Sequence, residues 1–243
     1  MIDEKKNITD NSKTPDNNFL SGTLPSYVPF YTDDNITIYN SDCLTVMIAL
    51  RPLNGIIITD PPYGINAAAK NFANGTSKNI KMYDEENWDK EKPQRIYFEM
   101  MKYVSRHQII FGGNYYNSIL GDARGMIFWD KGTGKNSYAD GELAWTSFDR
   151  PIKKYDLTWV GANAKDRFSE REHPTQKPLE LMIEIIKDYT TPADVIIDPF
   201  MGSGTTLVAA ATLGRKAVGV EINPKYCTIA KRRLSAIQTT MMV

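Results

Sequence analysis

Val195 to Tyr226 reads VIIDPFMGSGTTLVAAATLGRKAVGVEINPKY, and its parts follow one another as strand, glycine loop, helix, strand and acidic residue. Gly202 and Gly204 let the backbone turn tightly and approach a ligand closely. Thr205 and Thr206 then open a helix whose first N–H groups have no partner within the helix. Glu221 comes roughly twenty residues after the loop, at the end of the next strand, where a carboxylate can grip a ribose diol.

Working outward, similar apolar runs recur along the chain. They are Ile36 to Asn40, Ile56 to Thr59, Gln108 to Gly113, Gly125 to Asp130, Glu142 to Phe148, Asp194 to Asp198 and Lys216 to Ile222, seven expected strands. Helical spacing lies between them, clearest where Leu179, Met182, Ile183 and Ile186 share a face after Pro178, a residue suited to a first turn. This alternation predicts an α/β fold, a Rossmann-like doubly wound sheet of seven mostly parallel strands, with ligands beyond the strands' carboxyl ends.

The loop chemistry narrows the ligand. A phosphate-cradling P-loop needs Gly-Lys followed by Ser or Thr, which neither GSGTT nor GTGKN (Gly132 to Asn136) supplies. A dinucleotide fingerprint needs a third glycine, which DPFMGSGTT lacks. Asp198 ahead of the loop suits a ligand carrying an ammonium better than a pyrophosphate, which favours S-adenosylmethionine. The plain alternative is a tight strand-to-helix connection with a surface Glu.

A second stretch raises its own question: IIITDPPYG, Ile56 to Gly64, ends a strand on a carboxylate, two prolines and an aromatic ring. Proline has a fixed φ and no N–H, so the pair ends the ladder and leaves a stiff segment rich in carbonyl acceptors. A bare Pro-Pro there is an ordinary strand-ending turn. Asp60 before it and Tyr63 after it make the combination less ordinary.

Composition sets the bounds. The 243 residues are 42% hydrophobic, enough for one sizeable core. Lys plus Arg and Asp plus Glu each number 29, so contact with a polyanion would depend on local patches. Cys43, Cys227, His107 and His173 show neither metal-ligand spacing nor a disulfide framework, and no metal is expected. With no apolar run near the roughly twenty residues of a membrane span and no secretion signal, a cytoplasmic protein without a membrane partner is expected. Residues 1–25 are polar and read as a mobile arm. Residues 26–243 read as a single domain, and residues 151–172 as a short inserted loop.

Taken together, DPPYG (Asp60 to Gly64), HPTQKP (His173 to Pro178), DPFMGSGTT (Asp198 to Thr206) and GVEINPKY (Gly219 to Tyr226) resemble the beta-class amino DNA methyltransferases, whose motif order is permuted. The resemblance spans most of the chain after the arm. It implies a catalytic half at residues 36–150, a short target-recognition segment at 151–172 and a cofactor half at 173–238. It also implies that Asp42, with Cys43 beside it, contacts the cofactor adenine, although Asp42 alone reads as a helix cap. Glu221 would hold the ribose. The loop residues Asp198, Phe200, Gly202, Ser203, Gly204, Thr205 and Thr206 would surround the methionine end, with Lys177 on its carboxylate.

The catalytic residues are then Asp60, Pro61, Pro62 and Tyr63. An adenine amino nitrogen is a poor nucleophile because its lone pair is delocalised into the ring. Asp60 and the Pro61 carbonyl can each accept one amino hydrogen and so localise that pair, which explains the stiff double proline. Tyr63 offers a face for a flipped base. Two basic stretches are candidate DNA contacts: Lys70, Lys78 and Lys81 in one, and Lys153, Lys154, Lys165, Arg167 and Arg171 in the other. Solvated loops are the rival reading of both.

The expected function is transfer of a methyl group to the 6-amino group of adenine in double-stranded DNA. The alternatives are a cytosine-N4 enzyme, an RNA or protein amide methyltransferase, and a silent DNA-binding subunit. A homodimer and a cognate restriction endonuclease are partners such enzymes admit.

Overall fold

The computed structural model describes residues 28–50, 55–65, 89–133, 139–158 and 176–241. The expected arm lies outside these residues. In chain order the elements are β1 (Tyr31–Thr32), β2 (Ile36–Asn40), α1 (Cys43–Leu50), β3 (Gly55–Thr59), α2 (Arg95–Val104), β4 (Ser105–Phe111), α3 (Asn117–Leu120) and β5 (Met126–Asp130). Then come β6 (Gly141–Thr146), β7 (Lys153–Asp156), α4 (Leu179–Tyr189), β8 (Val195–Asp198), α5 (Thr205–Thr212), β9 (Lys216–Glu221) and α6 (Pro224–Met241). All the strands join one sheet in the order β1-β2-β9-β8-β3-β4-β6-β5-β7.

The centre of that sheet, β2-β9-β8-β3-β4, is parallel, while β6 runs antiparallel to both β4 and β5. Consecutive side chains of a strand point to opposite faces, and β3 shows why its run is uniformly apolar. Ile56 and Ile58 pack with Leu207 and Val208 of α5 and Ile185 of α4. Ile57, on the other face, packs with Val46 and Met47 of α1 and Phe98 and Met101 of α2. Each such isoleucine contributes roughly 1.5–3 kcal/mol by leaving water.

Topology places the site. The chain leaves β3 toward α2 on one face, whereas it leaves the neighbouring β8 into α5 on the other. A crevice therefore opens at the carboxyl ends of β3 and β8, between Asp60 and Asp198.

Nine strands stand where seven were expected. β1 is two residues long and too short to show a pattern. The other addition, β7, has the sequence KKYD and pairs in parallel with β5 at the sheet edge. Its inclusion corrects the reading of residues 151–172 as a loop, and the rest of that segment, from residue 159, lies outside the described residues. An edge strand keeps one side in water, so its charge hid it. Pro178 caps α4 from just outside the helix instead of occupying its first turn. Among the described residues no helix is long and apolar enough to cross a membrane, and no cluster of three His, Cys, Asp or Glu could hold a metal.

Candidate active site

Asp60 is the first residue beyond β3, and both its carboxylate oxygens are engaged. Oδ1 accepts from the Tyr63 hydroxyl and Oδ2 from Lys177 Nζ, both in short contacts. Burial pushes the Asp60 carboxyl above the usual range, Lys177 works against that rise, and Glu142 adds to it. Desolvation also raises the Tyr63 hydroxyl well above its ordinary value, with Asp60 next in effect.

The double proline is held by a residue that the sequence reading missed. Tyr116 is fully buried, and its hydroxyl lies 2.5 Å from the Pro62 carbonyl oxygen and 3.1 Å from that of Pro61. One hydroxyl proton serves the shorter contact, so the Pro61 carbonyl keeps its capacity to accept another donor. Tyr63 stacks on Tyr115 with ring centroids 4.7 Å apart and planes 15° from parallel. Gly112 permits the Tyr63 position: it adopts φ +67°, and a Cβ there would stand 2.2 Å from the Tyr63 ring.

Two cavities meet at this carboxylate. One, of about 230 Å³, borders the glycine loop and is lined by Asp60, Pro62, Lys177, Asp198, Gly202 and Glu221, among others. The other, of about 370 Å³, is lined by Asp60, Pro61, Tyr63, Tyr115, Lys131 and Glu142, among others. Among the described residues, Asp60 alone lines both. A further hollow of about 280 Å³ adjoins the first through Pro62, Phe200, Glu221 and Ile222, and reaches Asp42 and Cys43.

The loop is tied down by its own backbone and by the last helix. Glu221 Oε2 accepts from Gly202 N at 3.0 Å, and Oε1 accepts from Asn223 N at 2.8 Å. Gly204 has φ +79°, and a Cβ there would lie 2.7 Å from that of Ala230 on α6. Arg233, buried on α6, donates through Nη1 to the Ser203 carbonyl (2.8 Å) and to Thr205 Oγ1 (3.0 Å). Ser203 Oγ donates to Gln176 Oε1 at 3.4 Å.

Asp198 Oδ1 accepts from Thr59 Oγ1 at 2.7 Å and from Phe200 N at 3.1 Å. Burial pushes its carboxyl up to about 6, against the pull of hydrogen bonds from Thr206, Thr59 and Phe200 N. No cation among the described residues is paired with it.

Three expectations meet side chains already engaged. Lys177, expected on a cofactor carboxylate, borders the loop cavity but places Nζ on Asp60 and 3.0 Å from Glu142 Oε2. Asp42, expected at the cofactor adenine, borders the third hollow and also caps α1: Oδ1 accepts from Leu44 N (2.9 Å) and Thr45 N (3.3 Å), while Oδ2 accepts from the Tyr97 hydroxyl at 3.0 Å. Lys153 pairs with Asp188 at 3.0 Å, and Lys154 pairs with Asp130 at 2.8 Å and Asp156 at 2.6 Å, so neither stands as an unopposed charge. Lys70, Lys78, Lys81, Lys165, Arg167 and Arg171 lie outside the described residues. Cys43 is buried, and desolvation holds its thiol far above the ordinary value, so it is a packed side chain without thiolate chemistry.

Comparison with known proteins adds an independent line. Residues 114–232 match the family model described as DNA methylase, covering N6 and N4 enzymes. The chain is 26% identical to the Type II methyltransferase M2.DpnII of Streptococcus pneumoniae, over 92% of this chain and 98% of that protein. It is 27% identical to M2.LlaDCHI of Lactococcus lactis subsp. cremoris, over 90% and 96% respectively. The crystal structure of the M1.HpyAVI-SAM complex superposes with a TM-score of 0.56 at 25% identity, covering 82% of this chain and 98% of that one. The cytosine-N4-specific PvuII DNA methyltransferase shares the fold, with a TM-score of 0.57 at 16% identity over 84% and 88% of the two chains.

Proposed function

We propose that the chain is a member of the DNA methylase family whose model it matches over residues 114–232, and that it methylates the 6-amino group of adenine in double-stranded DNA, using S-adenosyl-L-methionine. The observation that carries this reading is Asp60 at the junction of two cavities, one beside a glycine loop and one walled by tyrosines.

The loop cavity fits such a donor. Asp198 presents a buried carboxylate with no cation paired to it among the described residues, a setting for an ammonium. Next to it Gly202 opens onto free space, where an added Cβ would meet nothing within 4 Å. Glu221, Phe200 and Ile222 border both this cavity and the neighbouring hollow, the right extent for a ribose joined to an adenine. The cofactor supplies a methyl group on a sulfonium; the remaining work belongs to the chain. Asp60 and the Pro61 carbonyl each accept an amino hydrogen of the flipped base and turn the nitrogen lone pair toward the loop cavity. The Tyr63–Tyr115 pair supplies the wall on which the base stacks. As the nitrogen becomes positive, the Asp60 carboxylate stabilises it most strongly, and the extra proton then leaves to solvent without a dedicated base.

Incubation with labelled cofactor and unmethylated DNA, followed by mass spectrometry of the nucleosides, tests the proposal. N6-methyladenine supports it, N4-methylcytosine selects the sister chemistry, and unlabelled DNA rejects it. The Type II names of the relatives support a restriction-modification setting, with a cognate endonuclease acting on the same DNA.

Two expectations follow for the loop. Because the folded chain raises Asp198 above the value of an unfolded aspartate, it favours the protonated form, and the associated stability is lost as pH rises from about 4 to about 6. A cationic ligand requires the ionised form. Cofactor affinity measured by calorimetry should therefore be level above neutrality and fall roughly tenfold per pH unit below about 6; Asp198→Asn should flatten that dependence. Separately, Arg233→Met, which removes charged hydrogen bonds from the loop, should weaken cofactor binding about tenfold and leave kcat at saturation nearly unchanged. A drop in kcat alone would contradict it.

A further inference from the structure

A second carboxylate reaches the junction from across the sheet. Because β6 runs antiparallel to β5, its opening residues lie beside the end of β5, and Glu142 pairs with Trp129 at the rim where Asp60 also stands. Glu142 Oε1 accepts from Lys131 Nζ at 2.5 Å. Oε2 is buried and lies 3.0 Å from Lys177 Nζ, off the line of a well-formed hydrogen bond. Burial alone would raise the Glu142 carboxyl, but Lys177 and Lys131 outweigh it and bring it down to about 2. Glu142 is therefore ionised and stands ready to take a fuller hydrogen bond from a lysine whose shorter one is on Asp60.

That placement bears on the proposed reaction. While Lys177 stays on Asp60, its positive charge offsets the carboxylate at the point where a cationic nitrogen must form. We infer that Glu142 is a positioning residue: when the target amino group engages Asp60, Lys177 passes its hydrogen bond from Asp60 to Glu142 Oε2. Asp60 then faces the nitrogen unshielded. Lys177 keeps all its protons, no covalent bond changes in the handover, and Lys131, Glu142, Lys177 and Asp60 remain neutral in sum. The inference rests on the methyl-transfer reading above.

The test uses the full chain with S-adenosyl-L-methionine and DNA. Glu142→Gln keeps the shape and removes the charge that receives Lys177; kcat should fall about 10²-fold. The KM for DNA and the cofactor affinity should move less than about threefold, since the loss falls on the transition state. Glu142→Asp, which keeps the charge but withdraws it by one methylene, should fall between wild type and Glu142→Gln. In a Lys177→Met background, where there is no lysine to pass across, Glu142→Gln should cause no further loss of kcat. Wild-type kcat in an active Glu142→Gln enzyme, Glu142→Asp falling below Glu142→Gln, or losses that multiply in the double variant would each overturn the handover and leave the reaction standing. A wild-type protein inert on every DNA would remove the reaction and the handover together.

Discussion

Replacing Asp60 with alanine should lower methyl transfer at least about 10³-fold, because it removes an acceptor that orients the lone pair and the charge that stabilises the forming cation. Cofactor affinity should stay within about threefold, since the loop is organised by Glu221, Arg233 and Gln176 and owes no hydrogen bond to Asp60. Asp60→Asn separates the two contributions: it keeps an acceptor oxygen and loses the charge, so intermediate activity is expected. Single-turnover transfer and calorimetry on the same preparations decide the matter. Equal loss of transfer and binding would show that Asp60 serves the cofactor cavity as well.

Lys177→Met has the second large effect, and a pH dependence identifies it. Breaking a buried pair by removing one partner leaves an uncompensated charge and typically costs about 3–5 kcal/mol. Burial already holds Asp60 above the usual carboxylate range, and Lys177 is the chief influence restraining it. Without that cation the carboxyl rises further, and more of it carries an O–H donor in place of an acceptor. Transfer should therefore fall about 10²-fold at neutral pH and recover as pH rises. The loss of thermal stability should be smaller in acid, where neutral Asp60 tolerates burial, and grow with pH. Cofactor affinity should change less than about threefold. A large loss of affinity with a flat pH profile would return Lys177 to the cofactor carboxylate.

The parts of the molecule legible in the sequence are those whose meaning is local. Ile56 to Thr59 is apolar because both faces of β3 are covered, so the run announced a central strand without any knowledge of its neighbours. The Asp60–Tyr63 turn and the Gly202–Thr206 loop are short segments whose chemistry depends on residues a few positions apart. The seven apolar strands were visible for the same reason, although β4 begins at Ser105, earlier than its polar opening SRHQ suggested. The missed residues act over long separations. Tyr116 is 54 positions from the carbonyl it holds at 2.5 Å. Glu142, within a strand, reads as an ordinary outward-facing polar residue until the antiparallel turn of β6 sets it beside Lys177. The partners of Lys177 were likewise invisible, since its cation suited several anions and only the fold chose among them.

The anchoring of the glycine loop by α6 also orders events during synthesis. A ribosome making this chain releases the Asp-Pro-Pro-Tyr turn long before Arg233, so a nascent polypeptide carries that turn well ahead of a fully anchored glycine loop. Translation halted ahead of Arg233 would yield a fragment that has the turn but lacks the hydrogen bonds that α6 gives to Ser203 and Thr205.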